Sequence, residues 1–486
     1  MVKNRFCALF VTVAVAVILT AGCQKTDAPD TPSIPSGPTS GGIAATYDFS
    51  SSAIDPDGDS VAIRFDWGDG DTSDWSAYMP SGETATASHS WADTGAYQVR
   101  AQARNKQDAR SHWSDGLQVE VAPGWFRAYG GQADDYCLSV QQTSDGGYVM
   151  TGTTKSYGEG QADVYLVRVS SAGDTLWTRT FGGTSDDVGY SVRQTSDGGY
   201  IIVGGSSSFG SGSQVFLVKT DSSGDHEWDR LYGYADHDEY GASVQQTSDG
   251  GYIMAGRTSD NSGDVFIVKT DGLGNTVWYD SKGYDNSNED AASVQQTSDG
   301  GYILVGTTFQ HDAQGDVWLV KIGADGGTGW YNHFGGAAAD LGKSVRQTTD
   351  GGYIIAGVTA SYGAGSADVY LVKTDAGGNQ LWLKTFGGAE GDGGWSVQQT
   401  TDGGYIIAGY TISYGAGSGD VYLMKTDGDG NQQWYRTLGG SAPDEGFSVQ
   451  QTADGGYVIA GATESYGAGG LDFYLIKTDS DGNCLP

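Results

Sequence analysis

Seven acidic residues occupy one place in a recurring pattern: Asp135, Asp187, Glu239, Glu289, Asp340, Asp392 and Asp444, each four residues before a Ser. Six aromatic residues recur with them: Tyr157, Phe209, Phe309, Tyr362, Tyr414 and Tyr466, mostly within Ser-Tyr-Gly-x-Gly. Carboxylates accept hydrogen bonds from hydroxyls and ligate divalent cations. Aromatic rings stack on the faces of sugar rings, so the two sets together describe a face that could hold a saccharide. The same acids could equally accept backbone N–H bonds in their own turns, and the same rings could pack on neighbouring strands. A third set, Asp55, Asp57 and Asp59, has the alternation of a calcium loop, although Asp, Pro and Gly also build ordinary turns. Calcium is the one cofactor these residues suggest.

These residues are placed by a repeat. Asp-Gly-Gly-Tyr begins at Asp145, Asp197, Asp249, Asp299, Asp350, Asp402 and Asp454. A near-constant period of this length marks stacked, mutually dependent units. In the fifth unit, Ser344–Thr348 is a short strand that turns at Asp350-Gly351-Gly352 into the apolar run Tyr353–Gly357. Asp-Gly and Gly-Gly supply the positive-φ residues of a tight hairpin. Asp368–Lys373 and Leu381–Phe386 make a third and a fourth strand. Four antiparallel strands per unit, seven units and no helical period predict an all-β, seven-bladed β-propeller of four-stranded blades over 123–486.

The chain ends bear on ring closure. The fourth-strand pattern first appears as Trp125–Tyr129, ahead of the first complete repeat, and the seventh repeat stops where its own fourth strand should begin. Pairing Trp125–Tyr129 with Phe473–Thr478 would complete the last blade and leave no open sheet edge at the seam. The third-strand, Gly-turn, fourth-strand-with-Trp pattern (Val164–Val169, Gly173-Asp174, Leu176-Trp177, then Trp228, Trp278, Trp330, Trp382 and Trp434) resembles the quinoprotein-alcohol-dehydrogenase-like propellers. That resemblance implies fold alone, since the chain has no adjacent cysteine pair and no residues matching that family's quinone or calcium ligands.

Three segments precede the repeats. Residues 1–22 combine Lys3 and Arg5, an apolar run from Ala8 to Leu19, and Thr20-Ala21-Gly22 before Cys23. This resembles a bacterial lipoprotein signal, which implies lipidation of Cys23; Thr20 stands where Leu is more usual. Residues 23–42 hold Pro29, Pro32, Pro35 and Pro38 among Ser, Thr and Gly, and read as an extended tether. Residues 43–122 carry Phe65-Asp66-Trp67-Gly68-Asp69-Gly70, His89-Ser90-Trp91 and Gly95-Ala96-Tyr97-Gln98-Val99, and resemble a PKD domain, which implies a small immunoglobulin-like sandwich.

The net charge of −34 argues against nucleic acid and anionic lipid as partners. No second apolar stretch is long enough to span a bilayer, so the only expected membrane contact is the lipid anchor. Cys137 and Cys484 fall at unlike strand positions and are expected as thiols. Seven cations, Arg168, Lys219, Lys269, Lys321, Lys373, Lys425 and Lys477, end the third strands, where each can pair with a nearby Asp. The six histidines show no metal-ligand spacing, and no nucleophile elbow or phosphate loop is present. The third repeat diverges most, at Arg257, Asp260 and Asn261. The expectation is an exported, lipid-anchored protein, facing the outside or the periplasm, whose propeller is a non-catalytic binding module for polysaccharide. A polysaccharide-degrading enzyme and a protein–protein scaffold of the envelope are the alternatives.

Overall fold

The computed structural model describes residues 27–42, 46–91, 93, 95–122, 124–210, 212–233, 237–258, 264–283, 289–310 and 314–484. Every regular element among them is a β-strand. The chain divides into two compact units, one built chiefly from Thr46–His89 and Ala96–Val119, the other from Glu120 onward.

In the first unit Tyr47–Ser52 pairs antiparallel with Thr84–His89, and Val61–Asp66 pairs with Arg100–Asn105. Alternation along these strands turns Phe49, Ile63, Phe65, Val99 and Ala101 into the core. Trp67 lies between two rings, stacked at 5.4 Å on Phe65 and at 4.7 Å on His89. The ring of His89 in turn meets Asp69 at 2.7 Å. The aromatic-Asp-aromatic-Gly-Asp-Gly run is therefore a packing and hydrogen-bonding signature. Part of the stretch expected as a tether is tied down: the N–H groups of Asp30, Ser33 and Ser36 donate to the carbonyls of Ile54, Ser52 and Ser50.

The second unit contains seven four-stranded antiparallel sheets, here I to VII in chain order. Sheet I is Asp135–Gln142, Tyr148–Thr154, Asp163–Val169 and Thr175–Phe181. Second and third strands are buried almost throughout, whereas the fourth is largely exposed along its first half. That is why the middle strands read as unbroken apolar runs and the outer ones do not. Sheet VII is completed by Trp125–Tyr129, which pairs with Phe473–Lys477 as the sequence suggested.

Two sets of contacts link each sheet to the next and return to the start. The Ser Oγ of one first strand accepts the Val N–H of the following one: Ser139 from Val192, Ser191 from Val244, Ser243 from Val294, Ser293 from Val345, Ser344 from Val397, Ser396 from Val449, and Ser448 from Val140. Each fourth-strand Trp meets the Tyr of the next Asp-Gly-Gly-Tyr at 5.7 to 6.0 Å, ending with Trp125 of sheet VII against Tyr148 of sheet I. Both glycines of that motif have a local reason. Gly250 has a φ of +83°, and a Cβ on Gly251 would strike the Thr270 carbonyl and the Lys269 ammonium.

Candidate functional site

The seven repeated acids open the first strands, and all are 0–2% exposed. Their oxygens hold the loops around them. Asp392 accepts from Gly388 N and Ser413 Oγ, both at 2.7 Å, and Asp444 accepts from Gly440 N and Ser465 Oγ. Asp340 repeats this with Gly336 and Ser361, Asp187 with Gly183 and Ser208, and Asp135 accepts from Gly131 and Lys155 N–H groups. Sheets III and IV lack the second glycine of the preceding Gly-Gly and carry the longer acid; Glu239 and Glu289 reach Thr258 and Thr308 hydroxyls instead.

Beneath these loops, acids of neighbouring sheets face one another. The glycines at 130, 182, 335, 387 and 439 each lie against two carboxylates, in the pairs Asp472/Asp135, Asp163/Asp187, Asp316/Asp340, Asp368/Asp392 and Asp420/Asp444. Burial, and then the charge of Asp187, pushes Asp163 up to about 6. Burial and the facing Asp135 and Asp444 raise Asp472 and Asp420 in the same direction.

The aromatic loop residues lie at the same end of the sheets. Tyr157, Tyr362, Phe209 and Phe309 are 46%, 40%, 39% and 36% exposed, while Tyr414 and Tyr466 are half-buried. Five of the six rings lean on a third-strand aromatic of their own sheet, as Tyr362 does on Tyr370 at 6.1 Å with a 12° interplanar angle. The tyrosine hydroxyls donate to the first glycine carbonyl of Gly-Gly: Tyr157 to Gly130, Tyr362 to Gly335, Tyr414 to Gly387 and Tyr466 to Gly439. One edge of each tyrosine ring is thus anchored, and Tyr157 and Tyr362 leave much of the remainder open to solvent.

At the opposite end of each sheet, the third-strand cations meet the aspartate of the Asp-Gly-Gly-Tyr hairpin. Lys269 reaches Asp249 at 2.9 Å, Lys373 reaches Asp350 at 2.9 Å and Lys425 reaches Asp402 at 2.8 Å, with Arg168, Lys219, Lys321 and Lys477 in the same arrangement. The aspartate also takes the Thr hydroxyl two residues before it, as Asp249 does from Thr247.

Two features were not foreseen from the sequence. A cavity of about 160 Å³ is lined by first-strand residues from all seven sheets, among them Arg193 and Arg346. The residue before each first-strand Ser varies (Leu138, Tyr190, Ala242, Ala292, Lys343, Trp395, Phe447), and Trp395 lies 6.1 Å from Phe447 with Lys343 above its ring at 5.1 Å. The available signal was departure from the repeat: Ser-Val-Gln in five units becomes Ser-Val-Arg in two.

Comparison with known proteins identifies the smaller unit. The family model of the PKD domain matches residues 34–120. These residues are a PKD domain. A PKD domain of an M14-like peptidase from Thermoplasmatales archaeon SCGC AB-540-F20 is similar, 37% identical over 20% of this chain and 98% of its own, with a TM-score of 0.19. An alignment of 208 positions that covers 36% of this chain is 25% identical to the regulatory protein FlaEY of Caulobacter vibrioides, of whose length the chain spans 22%. The compost-metagenome GH43 β-xylosidase/α-arabinofuranosidase CoXyl43 aligns over 56% of this chain and 90% of its own, at 9% identity and a TM-score of 0.29.

Within the PKD domain the Asp55, Asp57 and Asp59 loop is organised as a turn. Asp55 Oδ1 accepts the N–H groups of Asp57 and Asp59, and Asp57 Oδ2 accepts that of Asp27. Only Asp55 Oδ2 is buried there without a partner among the described residues, and among them no three His, Cys, Asp or Glu side chains converge on a metal-sized site. Cys137 is a buried thiol whose ionisation burial pushes up, and Cys484 is a thiol as well. Cys23, Asp260 and Asn261 lie outside the described residues, and Arg257 of the divergent third repeat is half-buried. No described helix is long and apolar enough to cross a membrane.

Proposed function

We propose that this chain is an exported envelope lipoprotein, anchored through an acylated Cys23 after a signal at 1–22. In this reading the PKD domain accompanies a seven-bladed β-propeller that acts as a non-catalytic binding module for extracellular glycan. The serine–valine hydrogen bonds and Trp–Tyr contacts that run from sheet to sheet and back to sheet I support the propeller reading. The observation that carries the functional reading is the recurring half-exposed ring at the loop end, with Tyr157, Phe209, Phe309 and Tyr362 between 36% and 46% exposed. Tyr157 and Tyr362, anchored by their hydroxyls and still open on part of their surface, are pre-ordered for stacking, which lowers the entropy lost on binding. Repetition supplies weak sites whose avidity multiplies along a polymer.

The carboxylates beside the rings support this reading over an enzyme. Each is buried and bonded through at least one oxygen to the backbone or a hydroxyl of its own loop, whereas a general acid or nucleophile must reach the scissile bond.

The test is retention of the full chain on a panel of soluble and immobilised glycans. Tyr157→Ala, Phe209→Ala and Tyr362→Ala combined should weaken retention at least tenfold per folded molecule. No glycan held by the parent, or equal retention by the triple variant, would reject the glycan reading and leave the envelope scaffold. Glycan cleavage by the parent, abolished by one carboxylate change, would favour the polysaccharide-degrading alternative.

A further inference from the structure

The cavity shared by the seven first strands has an unusual chemical lining for so acidic a chain. Five sheets present a glutamine there, Gln141, Gln245, Gln295, Gln398 and Gln450. The orientation of each carboxamide is fixed by its neighbour, because its Oε1 accepts a backbone N–H from the next sheet. Gln194 N donates to Gln141 at 2.6 Å, Gln296 N to Gln245 at 2.7 Å, Gln347 N to Gln295 at 2.8 Å, Gln451 N to Gln398 at 2.6 Å and Gln142 N to Gln450 at 2.8 Å. With the oxygen so used, the Nε2 group is left as a donor, and among the described residues none of the five has a protein acceptor for it.

The other two sheets present Arg193 and Arg346 at this position. Arg193 donates to the Val192 carbonyl and to Ser139 Oγ, and Arg346 donates to the Val345 carbonyl. Among the described residues no carboxylate pairs with either guanidinium. Arginine has no acceptor oxygen, so the equivalent backbone N–H groups of Gln246 and Gln399 face an arginine where the other repeats offer a carbonyl oxygen. The groups of this ring left without a partner are therefore donors: five carboxamide nitrogens and two backbone N–H groups without the usual side-chain acceptor, beside two guanidiniums. Burial pushes Arg193 down to about 10, with the charge of Arg346 adding to it, and burial lowers Arg346 too. Two half-buried guanidiniums that line one cavity without a carboxylate, within a chain of net charge −34, call for a counter-charge.

We propose that this cavity binds a small multivalent oxyanion, a phosphate or a polycarboxylate, between Arg193 and Arg346. Planar guanidiniums match both oxyanions in a forked geometry, and the carboxamide nitrogens complete the shell. A volume of about 160 Å³, open to solvent on one side, admits a small oxyanion. The first strand runs from the repeated acid to the hairpin, so the anion would sit towards the hairpin end, away from the aromatic loops. It is a site separate from the proposed glycan face and stands or falls independently of it.

The experiment titrates the full chain with inorganic phosphate and with citrate, by calorimetry and by thermal midpoint, against potassium chloride of equal ionic strength. Arg193→Gln with Arg346→Gln installs the residue that the other five repeats already carry, so the hydrogen-bonded ring can be completed rather than broken. The parent should bind one of the two anions and gain thermal stability from it. The double variant should bind at least tenfold more weakly while melting no lower than the parent without anion. Binding of phosphate alone or of citrate alone names the source. Should the double variant fail to fold, Arg346→Gln alone gives the same reading, since that guanidinium's recorded bond is to one carbonyl. The proposal is overturned if neither anion exceeds chloride, or if the variant binds as tightly as the parent. An equal loss in the surface control Arg436→Gln would overturn it as well.

Discussion

At the hairpin end of six sheets an exposed aspartate meets a buried cation, and at the loop end of five sheets a buried aspartate meets another aspartate. Asp249 is 62% exposed at its side chain and Lys269 only 5%, so the ammonium is sunk into the sheet and its partner caps it from solvent. Asp163 and Asp187 are 3% and 0% exposed and both lie against Gly182, with no cation between them. One end is thus a rigid, charge-balanced hinge between two strands. The other stores unbalanced charge under loops that carry the exposed rings. The same residue type, repeated with the same period, does opposite electrostatic work because of the charge that lies against it.

The largest effect should come from the hairpin end of the seam between sheets VII and I. Trp125 is 9% exposed and meets Tyr148 directly after its Asp-Gly-Gly turn. Trp125→Ala should cost about 3–5 kcal/mol, as measured by chemical denaturation. A cost under about 1 kcal/mol would mean that sheet VII does not need its borrowed strand. Next is the cation cap itself. Asp249→Ala removes the acceptor of Thr247 and Gly251 and leaves Lys269 buried with only the Thr270 carbonyl, for an expected loss of about 1–3 kcal/mol. The matching change at an exposed aspartate without a buried cation, Asp325→Ala, should cost much less.

Titration separates the two ends. The Thr247 hydroxyl and then Lys269 hold Asp249 down to about 2, and Thr297 and Lys321 do the same for Asp299. Their contribution to stability is present above the ordinary value of 3.8 and is lost as pH falls through about 2. Asp163 has the opposite sign. Its folded value near 6 lies above the ordinary 3.8, so its contribution is full below 3.8 and is lost as pH rises through about 6. The denaturant midpoint should therefore fall between pH 4 and pH 7 in the parent, and Asp163→Asn should flatten that slope. An unchanged slope in the variant would show that the Asp163/Asp187 pair does not titrate as a unit.

How much of this was legible in the sequence follows the same division. The hairpin end was readable because its chemistry is local: Asp-Gly-Gly needs its glycines for φ and for space, and the next apolar run follows at once. The strand Trp125–Tyr129 could be assigned to the last sheet because its pattern was out of place where it stood. The repeated acids were legible as a set, but not their inward direction, since the glycines and serines that bind them lie four residues before and 21 residues after. Only adjacent sheets bring two such acids together. Arg193 and Arg346 went unread because each looks like an ordinary strand residue; their meaning depends on five glutamines in other repeats that converge across the cavity.

The smallest expected effect tests whether the loop end is a binding surface or only a lid on its charges. Tyr362 donates its hydroxyl to the Gly335 carbonyl at 2.7 Å and lays its ring along Tyr370. Tyr362→Phe deletes the hydrogen bond and keeps the ring. An intramolecular hydrogen bond of this kind contributes about 0.5–1.5 kcal/mol, and partial exposure places Tyr362 near the lower figure. Sheets II and IV already carry Phe209 and Phe309 in this position, so the loop accommodates a ring without its hydroxyl. If stacking carries recognition, Tyr362→Phe should lose about 0.5 kcal/mol of stability and none of its glycan retention. Tyr362→Ala should then lose retention out of proportion to its loss of stability. If the ring serves only to close the loop over Asp340, retention and stability will fall together in both variants, and the exposed face of the ring has no part in binding.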